Sequence, residues 1–255
     1  MEGWGVMEIN KIYNEDCLEG MKRIQEKSID MILCDLPYGT TACKWDSIIP
    51  MELLWENYNR IIKDRGVIIL TATQPFASQL INANIKNFKY DLIWDKMIGG
   101  AFVLAKKRPL PKHEHILIFY KNAPIYNPQM TEAIPKNMRP TNKGSSQGNA
   151  VPVAGGLAKS EKDYNPNKRY PTSILNYSSK MAECNSLHRI HPTQKPIAMF
   201  EWLIKTYTNE GETVLDNCIG SGTTAIACIK TKRNFIGFEL DENYCKIANE
   251  RIASL

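Results

Sequence analysis

The stretch Glu212-Thr213-Val214-Leu215-Asp216-Asn217-Cys218-Ile219-Gly220-Ser221-Gly222-Thr223-Thr224, with Asn234-Phe235-Ile236-Gly237-Phe238-Glu239 shortly after it, decides the fold. Residues 212–217 form a short apolar run that reads as a strand. Two glycines follow it. Residues 223–232 continue with helical character, and 234–239 return to strand. A strand, a glycine turn, a helix and a second strand in that order make a β-α-β unit, which requires a parallel pair. Gly220 and Gly222 let a backbone come close to a ligand, and the helix that follows offers free N–H groups. The same pattern also fits a plain structural turn. It has neither the Lys of a phosphate-binding loop nor the third glycine of a dinucleotide fingerprint. Glu239 adds weight to the ligand reading, because an acid at the end of the next strand commonly holds ribose hydroxyls.

The alternation extends outward from this unit. Residues 29–35 form an apolar run closed by an acid. Residues 50–64 carry Leu53, Leu54, Tyr58, Ile61 and Ile62 at helical spacing behind Pro50. Strands are expected at 66–71, 90–94 and 115–120, and helices at 75–85, 197–208 and 242–252. The predicted fold class is therefore α/β, a doubly wound, mostly parallel sheet with helices on both faces. Between about 121 and 190 the pattern fails. Pro, Gly, Asn and Ser are frequent there, and 144–149 reads as a loose tract. The expected organisation is a core built from 1–120 and 191–255, with a loop-rich insertion at 121–190.

The net charge of +5 is concentrated in that insertion, where ten Lys/Arg face four Asp/Glu. Residues 96–112 add Lys96, Lys106, Lys107, Arg108 and Lys112 without an acid. Such local excess suits a polyanion, although a solvated basic face reads the same way. No apolar run is long enough to span a bilayer, and the first residues do not read as a secretory signal. The seven cysteines show no C-x-x-C pair, as in a cytoplasmic protein with reduced thiols. Cys184, His188 and His191 match no zinc spacing, so no metal is expected.

In open α/β sheets ligands gather at the carboxyl ends of strands, which draws attention to Asp35-Leu36-Pro37-Tyr38. Alone it reads as a turn. Its groups also suit methylation of an exocyclic base amine, whose lone pair is delocalised into the ring. Asp35 can accept one N–H and a backbone carbonyl the other, which turns the lone pair toward an incoming methyl group. A base must leave the duplex to be reached, and Tyr38 offers it a stacking surface.

Together these residues resemble the amino (N6-adenine or N4-cytosine) DNA methyltransferases of the permuted class, in which the catalytic motif precedes the cofactor motif. The resemblance runs over about residues 8 to 252. Asp35-Leu36-Pro37-Tyr38 is similar to D-P-P-Y, and 216–224 to D-P-F-x-G-S-G-T-T. Asn14-Glu15-Asp16-Cys17-Leu18 is similar to the segment whose acid contacts the cofactor's adenine. His191-Pro192-Thr193-Gln194-Lys195-Pro196 resembles H-P-T-Q-K-P, and Trp94-Asp95-Lys96 resembles W-x-K near the target base. The resemblance implies S-adenosylmethionine held by Asp16, Cys17, Thr193, Lys195, Asp216, Cys218, Gly220, Ser221, Gly222, Thr223 and Glu239. It implies double-stranded DNA as partner, contacted by Lys96, Lys106, Lys107, Arg108, Lys168 and Arg169. It also implies transfer to adenine N6, since many cytosine-N4 enzymes carry Ser where Asp35 stands. Homodimers are common in the class.

Two departures bear on the site. Leu36 replaces a proline, but the chemistry uses a carbonyl there, which any residue supplies. Asn217 and Cys218 replace Pro and Phe, which removes an aromatic wall beside the cofactor. The rivals are an N4-cytosine enzyme, a structured-RNA substrate, a nucleotide-cofactor oxidoreductase and a non-catalytic DNA-binding protein. The missing third glycine counts against the oxidoreductase, and the intact Asp35, Tyr38, Gly220, Gly222 and Glu239 against the last. Trp45-Asp46 reads as an anchor for the next helix or a flap. Tyr164, Tyr170 and Tyr177 read as packing or as DNA contacts.

Overall fold

The computed structural model describes residues 7–39, 48–133, 167–179 and 194–255. Two compact units emerge. One comprises residues Met1–Asn127 with Ser173–Leu255, and the other Pro128–Thr172.

In the larger unit, β1 (Lys11–Asn14) and α1 (Cys17–Lys22) lead to β2 (Ile29–Cys34), α2 (Met51–Ile61) and β3 (Ile62–Ala72). Then come α3 (Phe76–Ala83), β4 (Phe88–Asp95), the short 3-10 turn η1 (Phe102–Leu104) and β5 (His113–Phe119). The second unit contributes β6 (Thr131–Glu132) and β7 (Lys168–Arg169), which pair antiparallel with each other. The larger unit resumes with β8 (Ile174–Asn176), α4 (Ile197–Tyr207), β9 (Thr213–Asp216), α5 (Thr223–Lys230), β10 (Asn234–Glu239) and α6 (Glu242–Ala253).

Eight strands form one sheet in the order β1-β10-β9-β2-β3-β5-β4-β8. All neighbours are parallel except at β5, which runs antiparallel to both β3 and β4. The sheet is buried on both faces, so its central strands are continuous apolar runs rather than alternating ones. Met31 and Leu33 of β2 join Val67, Ile69, Ile116 and Ile118 in a core shared with α4, α5 and α6. The intervening Ile32 and Cys34 join Ile68, Leu70, Leu117 and Phe119 under α1, α2 and α3. This is a three-layer doubly wound architecture.

Several boundaries differ from the expectations, each for a physical reason. β3 begins at Ile62, four residues earlier than read from sequence, because β3 continues directly from α2. β1 carries only one buried side chain, Ile12, and exists because β10 pairs with it. The insertion expected at 121–190 is narrower in its compact part. Residues 174–176 add a strand to the main sheet through Ile93↔Ile174, Trp94↔Leu175 and Asp95↔Asn176. The tract 144–149, Trp45-Asp46, Tyr164, Thr193 and the Cys184/His188/His191 group lie outside the described residues.

Candidate active site

Four parallel strands end side by side: β1 at Asn14, β10 at Glu239, β9 at Asp216 and β2 at Cys34. Each is followed by a loop that carries polar groups, and the register Asn14↔Glu239 brings the first two level. Two halves of a site are built on this edge.

The first half is the loop from Asp216 to Gly222. The Asp216 carboxylate is buried and turned inward: Oδ1 accepts from the Cys218 N–H at 3.1 Å and Oδ2 from the Thr224 hydroxyl at 2.5 Å. It braces the loop from below. Gly222 caps α5 at φ +85°, and a Cβ there would lie 3.0 Å from Ala248 Cβ, so both backbone and space select glycine. Ser221 is buried and accepts from Arg251 through its carbonyl and hydroxyl oxygens, which ties the loop to α6. Thr223 is buried too, while Cys218 is partly exposed.

Glu239 faces the top of this loop. One oxygen accepts from the Gly220 N–H at 2.8 Å and the other from the Asp241 N–H at 2.9 Å. Burial raises its pKa above the usual glutamate value, partly offset by those two N–H groups. Of the Asn14–Leu18 segment, Asp16 is exposed and caps α1, accepting from the Leu18 and Glu19 N–H groups at 2.8 and 3.3 Å. The Cys17 thiol is turned into the core, where the Asn217 amide donates to it at 3.6 Å. Any contact of Cys17 with a ligand would therefore be through its backbone.

Burial pushes the Asp216 carboxyl up to about 6, with the Thr224 hydroxyl and Cys218 N–H pulling the other way. The native state thus holds this proton more tightly than the unfolded chain does. The contribution of Asp216 to stability falls as pH rises from about 4 to about 6 and is level above that window. Asp216→Asn is expected to remove this fall. Melting temperatures of the two proteins across that range measure it, and parallel curves would place the titration on another group.

The second half is centred on Asp35. Its Oδ1 accepts from the Tyr38 hydroxyl at 2.7 Å and from the Thr71 hydroxyl of β3. Its Oδ2 receives the Lys195 ammonium at 2.5 Å. Lys195 is itself buried and lies 3.5 Å from Glu114 Oε2, while Lys96 lies 3.1 Å from Glu114 Oε1. Burial alone would lower the Lys195 pKa, but Asp35 and Glu114 outweigh it and hold it above the ordinary lysine value. The reverse holds for Glu114: burial pushes its carboxyl up, and the two ammonium groups bring it below the usual range. The Tyr38 ring is tilted against Phe76 at 5.4 Å between centroids, and Leu36 is buried beneath the motif.

The structure thus brings together Asp35, Tyr38 and Lys195 on one side and Asp216, Gly220, Gly222 and Glu239 on the other. Lys195, expected beside a cofactor, sits on Asp35. Lys96, expected on DNA, is committed to Glu114 and stands 6.0 Å from the Trp94 ring. Lys106, Lys107, Arg108 and Lys168 are exposed, and Arg169 is partly so. Thr71 and Glu114 did not stand out in the sequence. Among the described residues no cluster of three His, Cys, Asp or Glu could hold a metal ion, and no helix is long and apolar enough to cross a membrane.

Comparison with known proteins agrees with this geometry. The N6/N4 methyltransferase family model, described as DNA methylase, matches residues 29–250. The chain is 26% identical to the type II methyltransferase M1.MboII of Moraxella bovis, over 96% of each protein. It is also 26% identical to the DNA adenine methyltransferase YhdJ of Escherichia coli K12, over 96% of this chain and 83% of that one. Among solved structures, the M1.HpyAVI–SAM complex superposes with a TM-score of 0.62 at 24% identity, covering 95% of this chain and 98% of that one. The cytosine-N4-specific PvuII DNA methyltransferase superposes with a TM-score of 0.66 at 16% identity, covering 96% and 87%. With the family match spanning both strand-end loops, the chain belongs to the N6/N4 DNA methylases, a family of S-adenosylmethionine-dependent methyltransferases.

Proposed function

We propose that the chain transfers a methyl group from S-adenosylmethionine to the N6 amine of adenine in double-stranded DNA. The observation that carries the adenine reading is the carboxylate at position 35, held as an acceptor at the mouth of the sheet by Lys195, Tyr38 and Thr71. The N6 amine of an extruded adenine offers an N–H that this carboxylate can take. Likeness to an adenine methyltransferase over most of the chain supports the same choice.

The residues present fit a nucleoside cofactor. Glu239 is half-buried, anchored by the Gly220 and Asp241 N–H groups, and a carboxylate oxygen so engaged keeps a lone pair for a ribose hydroxyl. Gly220 and Gly222 keep the loop open to close approach, and Asp16 stands beyond the neighbouring strand. When bound, S-adenosylmethionine supplies a methyl group on a sulfonium sulfur, which keeps the C–S electron pair as the amine lone pair forms the N–C bond. The protein's work is alignment and electrostatics. Asp35 takes one amine hydrogen, and the Leu36 carbonyl is the proposed acceptor of the second. Both contacts favour a pyramidal nitrogen and stabilise the positive charge that it acquires before losing a proton. The Tyr38 ring supplies the stacking surface for the extruded base, worth about 1–3 kcal/mol.

For DNA contact we propose Lys106, Lys107 and Arg108 of the larger unit and, separately, Lys168 and Arg169 of the second unit. For Lys106, Lys107 and Arg108 the absence of any acid from 96–112 supports this, since phosphate contact needs local positive excess. The test is incubation with methyl-labelled S-adenosylmethionine and unmethylated genomic DNA, followed by digestion to nucleosides. Label in N6-methyldeoxyadenosine is expected. Label in N4-methyldeoxycytidine would overturn the choice of base, and no label in DNA would overturn the proposed activity.

A further inference from the structure

Among the described residues β5 is the only reversed strand in the central sheet, and the reversal has a chemical consequence. Its first residues, not its last, reach the edge where the parallel strands end. The register Trp94↔Glu114 and Ala72↔His115 sets Glu114 there, between the end of β4 and the end of β3. Glu114 then completes a line of four alternating charges: Lys96, Glu114, Lys195 and Asp35. All four are at least partly buried, with side-chain exposures of 19%, 12%, 6% and 21%. Burying isolated charges is costly, so a line of this kind persists only when each member is matched. Glu114 Oε2 is buried and lies 3.5 Å from the Lys195 ammonium.

The line ends at Asp35, the group proposed above to hold the target amine. An unmatched ammonium 2.5 Å from that carboxylate would oppose the positive charge that builds on the amine nitrogen. One carboxylate cannot both neutralise Lys195 and serve the amine fully. A second carboxylate 3.5 Å from the same ammonium eases the conflict.

We propose that Glu114 is a positioning residue of the methyl transfer: it shares the neutralisation of Lys195, so that Asp35 keeps its place and its negative charge for the amine. The inference rests on the methyltransferase reading. Glu114 acts through Lys195 and does not touch the base. Among the described residues, the charged and titratable groups facing this pair are Asp35 and Tyr38 from the catalytic loop and Lys96 from the end of β4.

Glu114→Gln keeps the shape and removes the charge. We expect kcat to fall about 10–100-fold, while KM for DNA and for S-adenosylmethionine stay within about threefold, as for an interaction that acts on the transition state. The pH profile should also change. In the parent protein two carboxylates keep Lys195 charged well past neutrality. With one removed, burial is opposed by Asp35 alone and the ammonium loses its proton at lower pH. A new alkaline limb should therefore appear in the kcat profile of Glu114→Gln, and Glu114→Asp should recover part of both kcat and profile. If Glu114→Gln does not fold, Glu114→Asp carries the test, with a smaller loss and an alkaline limb at higher pH than in Glu114→Gln expected. Unchanged kcat, or a loss with an unaltered pH profile, would overturn the proposal. The parent protein runs in the same assay, so its own failure to label DNA would instead overturn the methyltransferase reading.

Discussion

Asp35→Ala is expected to lower methyl transfer by about 1,000-fold while leaving S-adenosylmethionine affinity within about threefold of the parent value. The size follows from what the carboxylate does. Removing one preorganised electrostatic partner of a transition state costs about 100- to 1,000-fold, and losing the alignment of the nucleophile adds to that. The selectivity follows from geometry. Asp35 follows β2, whereas Glu239 and Gly220 belong to β10 and the β9–α5 loop. Among the described residues no hydrogen bond of Asp35 reaches those groups; its partners there are Tyr38, Thr71 and Lys195. The substitution also leaves the buried Lys195 with Glu114 alone at 3.5 Å, so some loss of stability should accompany it. Asp35→Asn separates the two effects, because it keeps the size and a hydrogen-bond acceptor but not the charge. Cofactor titration by calorimetry, single-turnover transfer to a cognate duplex and thermal melting read the three quantities. Retention of a tenth or more of the parent rate in Asp35→Ala would remove Asp35 from the amine.

Much of this site could be read from sequence because its key groups are local. Asp35 and Tyr38 lie three residues apart on one turn, and Gly220 and Gly222 follow a strand whose apolar run is plain. Glu239 needed only the next strand. The partners that complete the site are distant in sequence. Lys195 is 160 residues from the Asp35 it binds, and Thr71 is 36 away. Looking only at carboxyl ends of strands also passes over Glu114, which reaches the same edge because β5 is reversed. The strands that escaped notice are those with least burial of their own. β1 and β8 each bury one side chain, Ile12 and Leu175, and their place is set by pairing with β10 and β4. Some of the expected polar groups also carry a structural duty that the sequence does not announce. Asp16 caps a helix, Ser221 receives Arg251, and Lys96 answers Glu114.

Glu239→Ala is expected to weaken S-adenosylmethionine binding about 10- to 100-fold and to change kcat at saturating cofactor by less than about threefold. A hydrogen bond to a charged group contributes about 1.5–3 kcal/mol, and 1.4 kcal/mol is tenfold in affinity. The carboxylate has two duties: it is the proposed acceptor for the ribose, and it already fixes the Gly220 N–H at 2.8 Å and the Asp241 N–H at 2.9 Å. Alanine removes both, so part of the loss comes from a looser loop. Glu239→Gln should fall between the two proteins. Its amide oxygen can satisfy one of those N–H groups, but its NH2 must meet the other, donor against donor. The ribose stands apart from the transferring methyl, so its grip contributes equally before and during reaction, which raises KM without lowering kcat. S-adenosylhomocysteine carries the same ribose and should lose the same factor, whereas a misfolded loop would also depress the melting temperature of the cofactor-free protein. Parent-like affinity for both ligands in Glu239→Ala would take the residue out of the cofactor site and leave it only as the brace of the Gly220 turn.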